Sequence, residues 1–394
     1  MALKSFSSAT QTLEVGTIKK FEILARSIPG TISLAQGIPS FETAGHIKAA
    51  AKAAIDANLV GKYTPSYGIE PLRSAIVKKL KEENAIAAVN SEILVTHGAS
   101  EALMAIFLAL LNSEDEVIIV TPGYASHLTQ VQIALDGKHA VHVPLDKTQR
   151  GWQLNTNILT KAITKYTKAI VICNPTNPTG YVYFYKELKE IAKIAKEHNL
   201  YIVTDEMYEH FVYDGKKHIS IASFPEVSDR TISVFGVSKS YAMTGWRIGY
   251  IVAAQPLIDQ IFKIHDTIIT SPTVVSQYAA LAAITGPQDV VEFYKEAFFK
   301  RRQIVIDELK KTNAVSLYIP QGAYYAFIKI NQPIDDEKFA IALVEKARVA
   351  VVPGSAFGKG GENHIRISFG VEEDILREGL HRLIAYLNKT IDRP

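Results

Sequence analysis

Residues 169–180 read AIVICNPTNPTG: five consecutive apolar residues, then a segment holding two prolines and a glycine. Isoleucine and valine suit an extended strand. A strand that is apolar at every position, rather than at every second one, is buried on both faces. The abrupt change at Asn174 marks its end, because proline and glycine demand a tight turn. The same pattern recurs on either side. Short apolar runs occupy Glu92 to Thr96, Val117 to Val120, Leu200 to Thr204 and Thr231 to Phe235, and helix-like stretches such as 99–111 and 185–198 separate some of them. Such alternation predicts an α/β fold with a mostly parallel central sheet flanked by helices. This large domain is expected over 46–283. Beyond it, a helix over about 288–311, apolar segments at Gly322 to Ile330, Ala350 to Val352 and His364 to Phe369, and a last helix over about 372–388 predict a smaller α+β domain. That unit is expected to take 1–45 together with 284–394.

In open sheets of this kind ligands bind beyond the carboxyl ends of the strands. Each run ends in a polar or glycine-bearing segment: His97-Gly98-Ala99-Ser100-Glu101 after Thr96, Thr121-Pro122-Gly123-Tyr124 after Val120, NPTNPTG after Cys173, Asp205-Glu206-Met207-Tyr208 after Thr204, and Gly236-Val237-Ser238-Lys239 after Phe235. Parallel neighbours would gather these segments on one rim. Gly98-Ala99-Ser100 at a helix start offers free N–H groups to an anion, or Ser100 is a plain helix cap. The asparagines of NPTNPTG either close the turn or face a ligand. Asp205 either caps the next helix or works in the site. Lys239 is an amine able to condense with an aldehyde once shelter lowers its pKa. Arg247 lies eight residues later between Gly245 and Gly249, where guanidinium and backbone could approach a phosphate.

Composition narrows the function classes. Among 394 residues, 43 Lys and Arg stand against 40 Asp and Glu, a net +3, so no global charge points to nucleic acid or an anionic membrane. The longest apolar run, Ala102 to Leu111, is half of the roughly 20 residues that span a bilayer. The first sixteen residues carry no apolar leader core, and the single cysteine, Cys173, fits a reducing compartment and a buried strand position. A cytoplasmic protein is expected. The charge runs Lys78-Lys79 and Lys300-Arg301-Arg302 read as solvated helix faces. No dinucleotide, P-loop, metalloprotease or paired-cysteine motif is present, so no metal is expected. Tyr213 and Lys217 share a spacing with some dehydrogenases, but without a glycine-rich dinucleotide turn it reads as coincidence.

Eight strings in order, AQGIPSF (35–41), YTPSYGIEPLR (63–73), GASEAL (98–103), NPTNPTG (174–180), TDEMYE (204–209), SKSYAMTGWRIGY (238–250), VVPGSAFG (351–358) and ENHIRISFG (362–370), carry a family likeness. The chain resembles the class I/II aminotransferases of fold type I, and within them the bacterial aspartate, aromatic, methionine and kynurenine-type enzymes. The resemblance implies pyridoxal 5′-phosphate (PLP) held as a Schiff base by Lys239, whose freed amine would carry the proton between the substrate α-carbon and C4′ of the cofactor. It implies that Asp205 keeps the pyridine nitrogen protonated, that Tyr208 and Asn177 bond the phenolic oxygen, and that Tyr124 stacks on the ring. Ala99, Ser100, Ser238 and Arg247 would hold the phosphate, and Tyr63 would reach the phosphate of a neighbouring subunit in a homodimer. Arg366 would grip the substrate carboxylate in two-pronged fashion, beside Asn177 and the backbone of Gly37.

Two departures bear on this. Gly236 stands where some relatives have a phosphate-binding serine, and Ser100 where some aspartate-preferring relatives have lysine. The second points to a neutral donor, aromatic or long-chain, with aspartate as the rival and 2-oxoglutarate or another 2-oxo acid as acceptor. The same cofactor could serve a carbon–sulfur β-lyase. A PLP-binding regulatory module would need a DNA-binding segment longer than the thirty residues ahead of the likeness.

Overall fold

The computed structural model describes residues 5–149 and 151–390. A seven-stranded sheet forms its centre. In chain order its strands are β1 (Ile93–Thr96), β2 (Glu116–Thr121), β3 (Val141–Pro144), β4 (Thr167–Cys173), β5 (Tyr201–Asp205), β6 (Thr231–Gly236) and β7 (Gly249–Val252). Their spatial order is β1-β7-β6-β5-β4-β2-β3. All pairings are parallel except the two made by β7, which runs against both neighbours. β1 therefore points the same way as β6.

Alternation of side chains across the strands gives each face its own cover. Val117, Ile119, Val171, Val203 and Val234 pack with Leu103, Ile106 and Phe107 of helix Gly98–Leu110 and with Ile258 and Ile261 of helix Gln255–Ile268. On the opposite face Ile118, Ile170, Ile172 and Ile202 meet Leu188, Ile191 and Ala192 of helix Tyr185–Glu197. Ile93, Val95 and Phe235 meet Leu72 and Ile76 of helix Glu70–Glu83. Both faces are closed, which is why the strands read as unbroken apolar runs.

A second sheet lies later in the chain: β8 (Val315–Leu317), β9 (Tyr325–Ile330), β10 (Val352–Pro353) and β11 (His364–Ser368), antiparallel in the order β8-β9-β11-β10. Helices Asp289–Leu309 and Asp336–Ala347 pack against it, and Glu373–Thr390 packs on both helices. The N-terminal Ile32–Ser33 pairs in parallel with Val349–Ala350, tying the start of the chain to this part. One apolar cluster runs from Ile118 and Ile170 to Phe327 and Ile365, so the two sheets share a core.

The charge runs depart from expectation. Lys78 and Lys300 are exposed, but Lys79, Arg301 and Arg302 are buried. Lys79 Nζ lies 2.5 Å from Glu209 Oε1 and 2.8 Å from Asn84 Oδ1. Arg302 pairs with Asp214, and Arg301 bonds Ser40, Gly370 and Glu372. Buried cations persist where such partners replace water. Tyr213 is buried, donating to the Ala323 carbonyl at 2.5 Å, whereas Lys217 is exposed, which accords with a chance spacing.

Candidate active site

Strands β1, β2, β4, β5 and β6 end on one rim, and β7 begins there, its Gly249 opposite Thr96 of β1 and Gly236 of β6. The segments leaving this rim enclose a cavity of about 240 Å³. It is lined by Ala99, Ser100, Tyr124, Asn177, Asp205, Tyr208, Ser238, Lys239 and Arg247, and from the other side by Gly37 and Arg366. Of the residues to which the resemblance gives a role, Tyr63 alone is not in this lining; it is 82 % exposed on the surface of the chain.

One end of the cavity gathers groups that suit an anion. Ala99 and Ser100 sit in the first turn of helix Gly98–Leu110, where N–H groups and the helix dipole face outward. His97, not Ser100, takes the cap position. Gly98 has φ +75°, and a Cβ there would stand 2.5 Å from Arg247 Nη2. The missing side chain is the space the guanidinium fills. Arg247, itself left-handed at φ 57°, is held by a bond from Nη1 to the Thr244 carbonyl at 2.8 Å. A Cβ at Gly236 would come within 3.0 Å of the Ile248 carbonyl and 3.1 Å of Gly249 Cα. A side chain there would need these neighbours to give by a few tenths of an ångström.

Lys239 lies three residues beyond β6, and its Nζ donates to the Gly37 carbonyl at 2.7 Å. Burial, aided by the charges of Arg247 and Arg366 and opposed by Asp205, brings its pKa from 10.5 down to about 8. Asp205 ends β5. Its Oδ1 accepts from Met207 N at 3.2 Å and its Oδ2 lies 2.9 Å from His127 Nε2. No helix follows Asp205, so it caps none; Oδ1 closes a turn, and the residue lines the cavity. His127 escaped the sequence reading. It lies in helix Ala125–Ala134, edge-on to Tyr124 at 5.3 Å, and nothing local distinguishes it from a core histidine.

At the other end Arg366, on β11 opposite Phe327 and Val352, is fully buried. Its Nη1 donates to Asn177 Oδ1 at 3.1 Å and its Nη2 to the Ala35 carbonyl, both neutral acceptors. Among the described residues its Nε is buried with no hydrogen-bond partner, and burial lowers its pKa from the usual arginine value. An orphaned donor on a buried cation marks a place for an anionic ligand group. The two asparagines of NPTNPTG divide the open alternatives. Asn174 closes the turn, accepting from Tyr183 N at 3.2 Å and donating to the Ile219 carbonyl at 3.1 Å, while Asn177 faces the cavity. Cys173 also reaches the cavity, but it is buried, its thiol donates to the Pro175 carbonyl at 3.3 Å, and burial pushes its pKa up, which leaves it a poor nucleophile.

The lining cations Lys239, Arg247 and Arg366 outnumber the one carboxylate, Asp205. This donor set fits pyridoxal 5′-phosphate together with a carboxylate substrate. It offers an anion cradle cleared by Gly98, a sheltered amine, an acid with its own histidine, and a buried guanidinium with an unused N–H.

The model of the family Aminotransferase class I and II matches residues 29–383. An aspartate aminotransferase of Pyrococcus abyssi is 40% identical over 370 residues, covering 93% of this chain and 94% of that protein. Aromatic-amino-acid aminotransferase 2 of Thermococcus litoralis is 36% identical over 383 residues, 96% and 97% of the two chains. Among solved structures, an aromatic aminotransferase from Pyrococcus horikoshii superposes with a TM-score of 0.87 at 38% identity, covering 94% of this chain and 99% of the other.

Proposed function

The chain belongs to the aminotransferase class I and II family, and from that premise we propose that it moves the α-amino group of a neutral L-amino acid, aromatic or long-chain, to 2-oxoglutarate or another 2-oxo acid. It is a pyridoxal-phosphate-dependent aminotransferase that takes amino acids and 2-oxo acids in turn. The observation that carries the residue roles is the Lys239 amine, buried among two guanidinium groups and one carboxylate in a single cavity.

When bound, the cofactor supplies an aldehyde for capturing amines and an electron-poor ring that accepts negative charge from the substrate α-carbon. The chain's residues do the rest. Ala99, Ser100, Ser238 and Arg247 hold the phosphate. Asp205, steadied by His127, holds a proton at the ring nitrogen. Tyr208 and Asn177 donate to the phenolic oxygen, and Tyr124 covers the ring. Arg366 grips the substrate carboxylate and so fixes the direction of its α C–H bond. Lys239 Nζ, its pKa brought down to about 8, takes the proton from that carbon in its neutral form.

A neutral donor is supported by the rest of the wall: Ile18, Gln36, Leu103 and Gln130 carry no charge, and Gln130 Nε2 is tied to the Ser100 carbonyl at 2.6 Å. The names of the relatives divide between aspartate and aromatic substrates. Relative kcat/KM over a panel of amino acids with 2-oxoglutarate tests the choice: aromatic or long neutral donors lead the panel, and aspartate leading it would overturn the preference.

The proposal extends to a homodimer in which exposed Tyr63 reaches the neighbouring phosphate site, and to a cytoplasmic location. Among the described residues no helix is long and apolar enough to cross a membrane. It also includes the division into 46–283 and 1–45 with 284–394, supported by the pairing of Ile32–Ser33 with Val349–Ala350. Residues 1–4 and 391–394 of the second unit lie outside those described.

A further inference from the structure

Tyr325 opens strand β9 and lines the cavity, yet belongs to none of the eight strings. Its hydroxyl lies 2.8 Å from that of Tyr208, and both side chains are buried. The Arg366 guanidinium sits over its ring, 4.6 Å from the centroid. A Cβ on Gly37 would fall 1.8 Å from the Tyr325 hydroxyl oxygen, so Gly37 leaves the space that this hydroxyl occupies. One phenol thus touches three groups with proposed roles.

Each phenol has one proton and two lone pairs, so one of the pair donates and the other accepts. Were Tyr208 the donor, it would turn only lone pairs toward the cavity and repel a phenolic oxygen placed there. The surroundings favour the opposite order. A cation over its ring makes Tyr325 the more acidic phenol: burial raises it, but the guanidinium checks the rise at about 12. Burial likewise raises Tyr208, and the neighbouring phenols Tyr325 and Tyr324 add to the rise. Besides Arg366, the titratable groups facing the pair are Lys239, Asp205, Tyr124 and Tyr324.

We propose that Tyr325 is a positioning residue for the cofactor: its hydroxyl donates to Tyr208 and leaves the Tyr208 proton directed into the cavity, while its ring face carries Arg366. This rests on the functional reading above. A hydrogen bond received by Tyr208 strengthens the one it gives, since linked hydrogen bonds polarise each other.

The test compares the holoenzyme with Tyr325→Phe and Tyr325→Leu, following the cofactor's visible absorption band against pH and the donor KM. A donor on the phenolic oxygen competes with the protonated nitrogen joining the cofactor to Lys239, so weakening it raises the titration midpoint. Tyr325→Phe raises that midpoint by about a few tenths of a unit, the size of one hydrogen bond weakened rather than lost, and leaves KM within about twofold. Tyr325→Leu raises the midpoint similarly and also raises KM roughly three- to tenfold, because the face under Arg366 is gone. An unchanged midpoint in Tyr325→Phe would overturn the inference, as would equal KM increases in the two variants. A wild-type protein with no such band would instead overturn the functional reading, a result visible before any variant is made.

Discussion

Gly98 and Arg247 occupy one space: the guanidinium of Arg247 lies where a side chain on Gly98 would begin, 2.5 Å from the position of its Cβ. Gly98→Ala must therefore displace the arginine, and it also strains a backbone at φ +75°. Overpacking of this kind costs about 1–3 kcal/mol. Cofactor affinity of the apoprotein, followed by fluorescence titration, falls roughly tenfold or more. Unchanged affinity would remove Arg247 from the phosphate site.

Arg366→Lys keeps the charge but loses the planar fork. One charge-assisted hydrogen bond is worth about 1.5–3 kcal/mol, so kcat/KM falls about ten- to a hundredfold. Because the α-carboxylate is common to all substrates, the loss is similar for each donor and for the 2-oxo acid. A loss confined to one donor would place Arg366 against the side chain instead.

Lys239 must be neutral to attack an aldehyde, and its pKa is brought down to about 8 from 10.5. Capture of PLP by the apoprotein, measured by stopped-flow absorbance, therefore accelerates as pH rises toward 8 and levels off above it. A rate still climbing through pH 10 would mean that the amine is not sheltered.

Lys79 and Glu209 form a buried pair in which burial would raise the Glu209 carboxyl, but Lys79 first, then His210, His218 and Asn84, hold it at about 2 rather than 4.5. Lys79→Ala leaves that carboxylate uncompensated and costs about 3–5 kcal/mol in urea unfolding. With the folded pKa below the unfolded one, the stability from Glu209 is fully present above pH 4.5 and is lost as pH falls toward 2. Glu209→Gln removes that part of the acid dependence. An equal slope in wild type and Glu209→Gln would contradict the assignment.

Much of the fold was legible because strands closed on both faces leave unbroken apolar runs; β2, β4, β5 and β6 fall within two residues of their expected limits at each end. The edge strand β3 was not, since VHVP carries a histidine on a half-covered edge. Nor was β7, whose first two residues close a string read for its chemistry. Lys79 looked like surface because its partner Glu209 is 130 positions away. The site showed a similar division. Groups that leave strand ends could be read locally, whereas His127 and Tyr325 acquire their places only when Asp205 and Tyr208 fold against them.

The central claim is that one amine, that of Lys239, holds the cofactor. Borohydride reduction of the PLP-loaded protein, with peptide mass spectrometry of the product, reads this directly. The account predicts a single stable adduct on the peptide containing Lys239, absent from Lys239→Ala. An adduct on a different lysine, or none in the wild type, would contradict it.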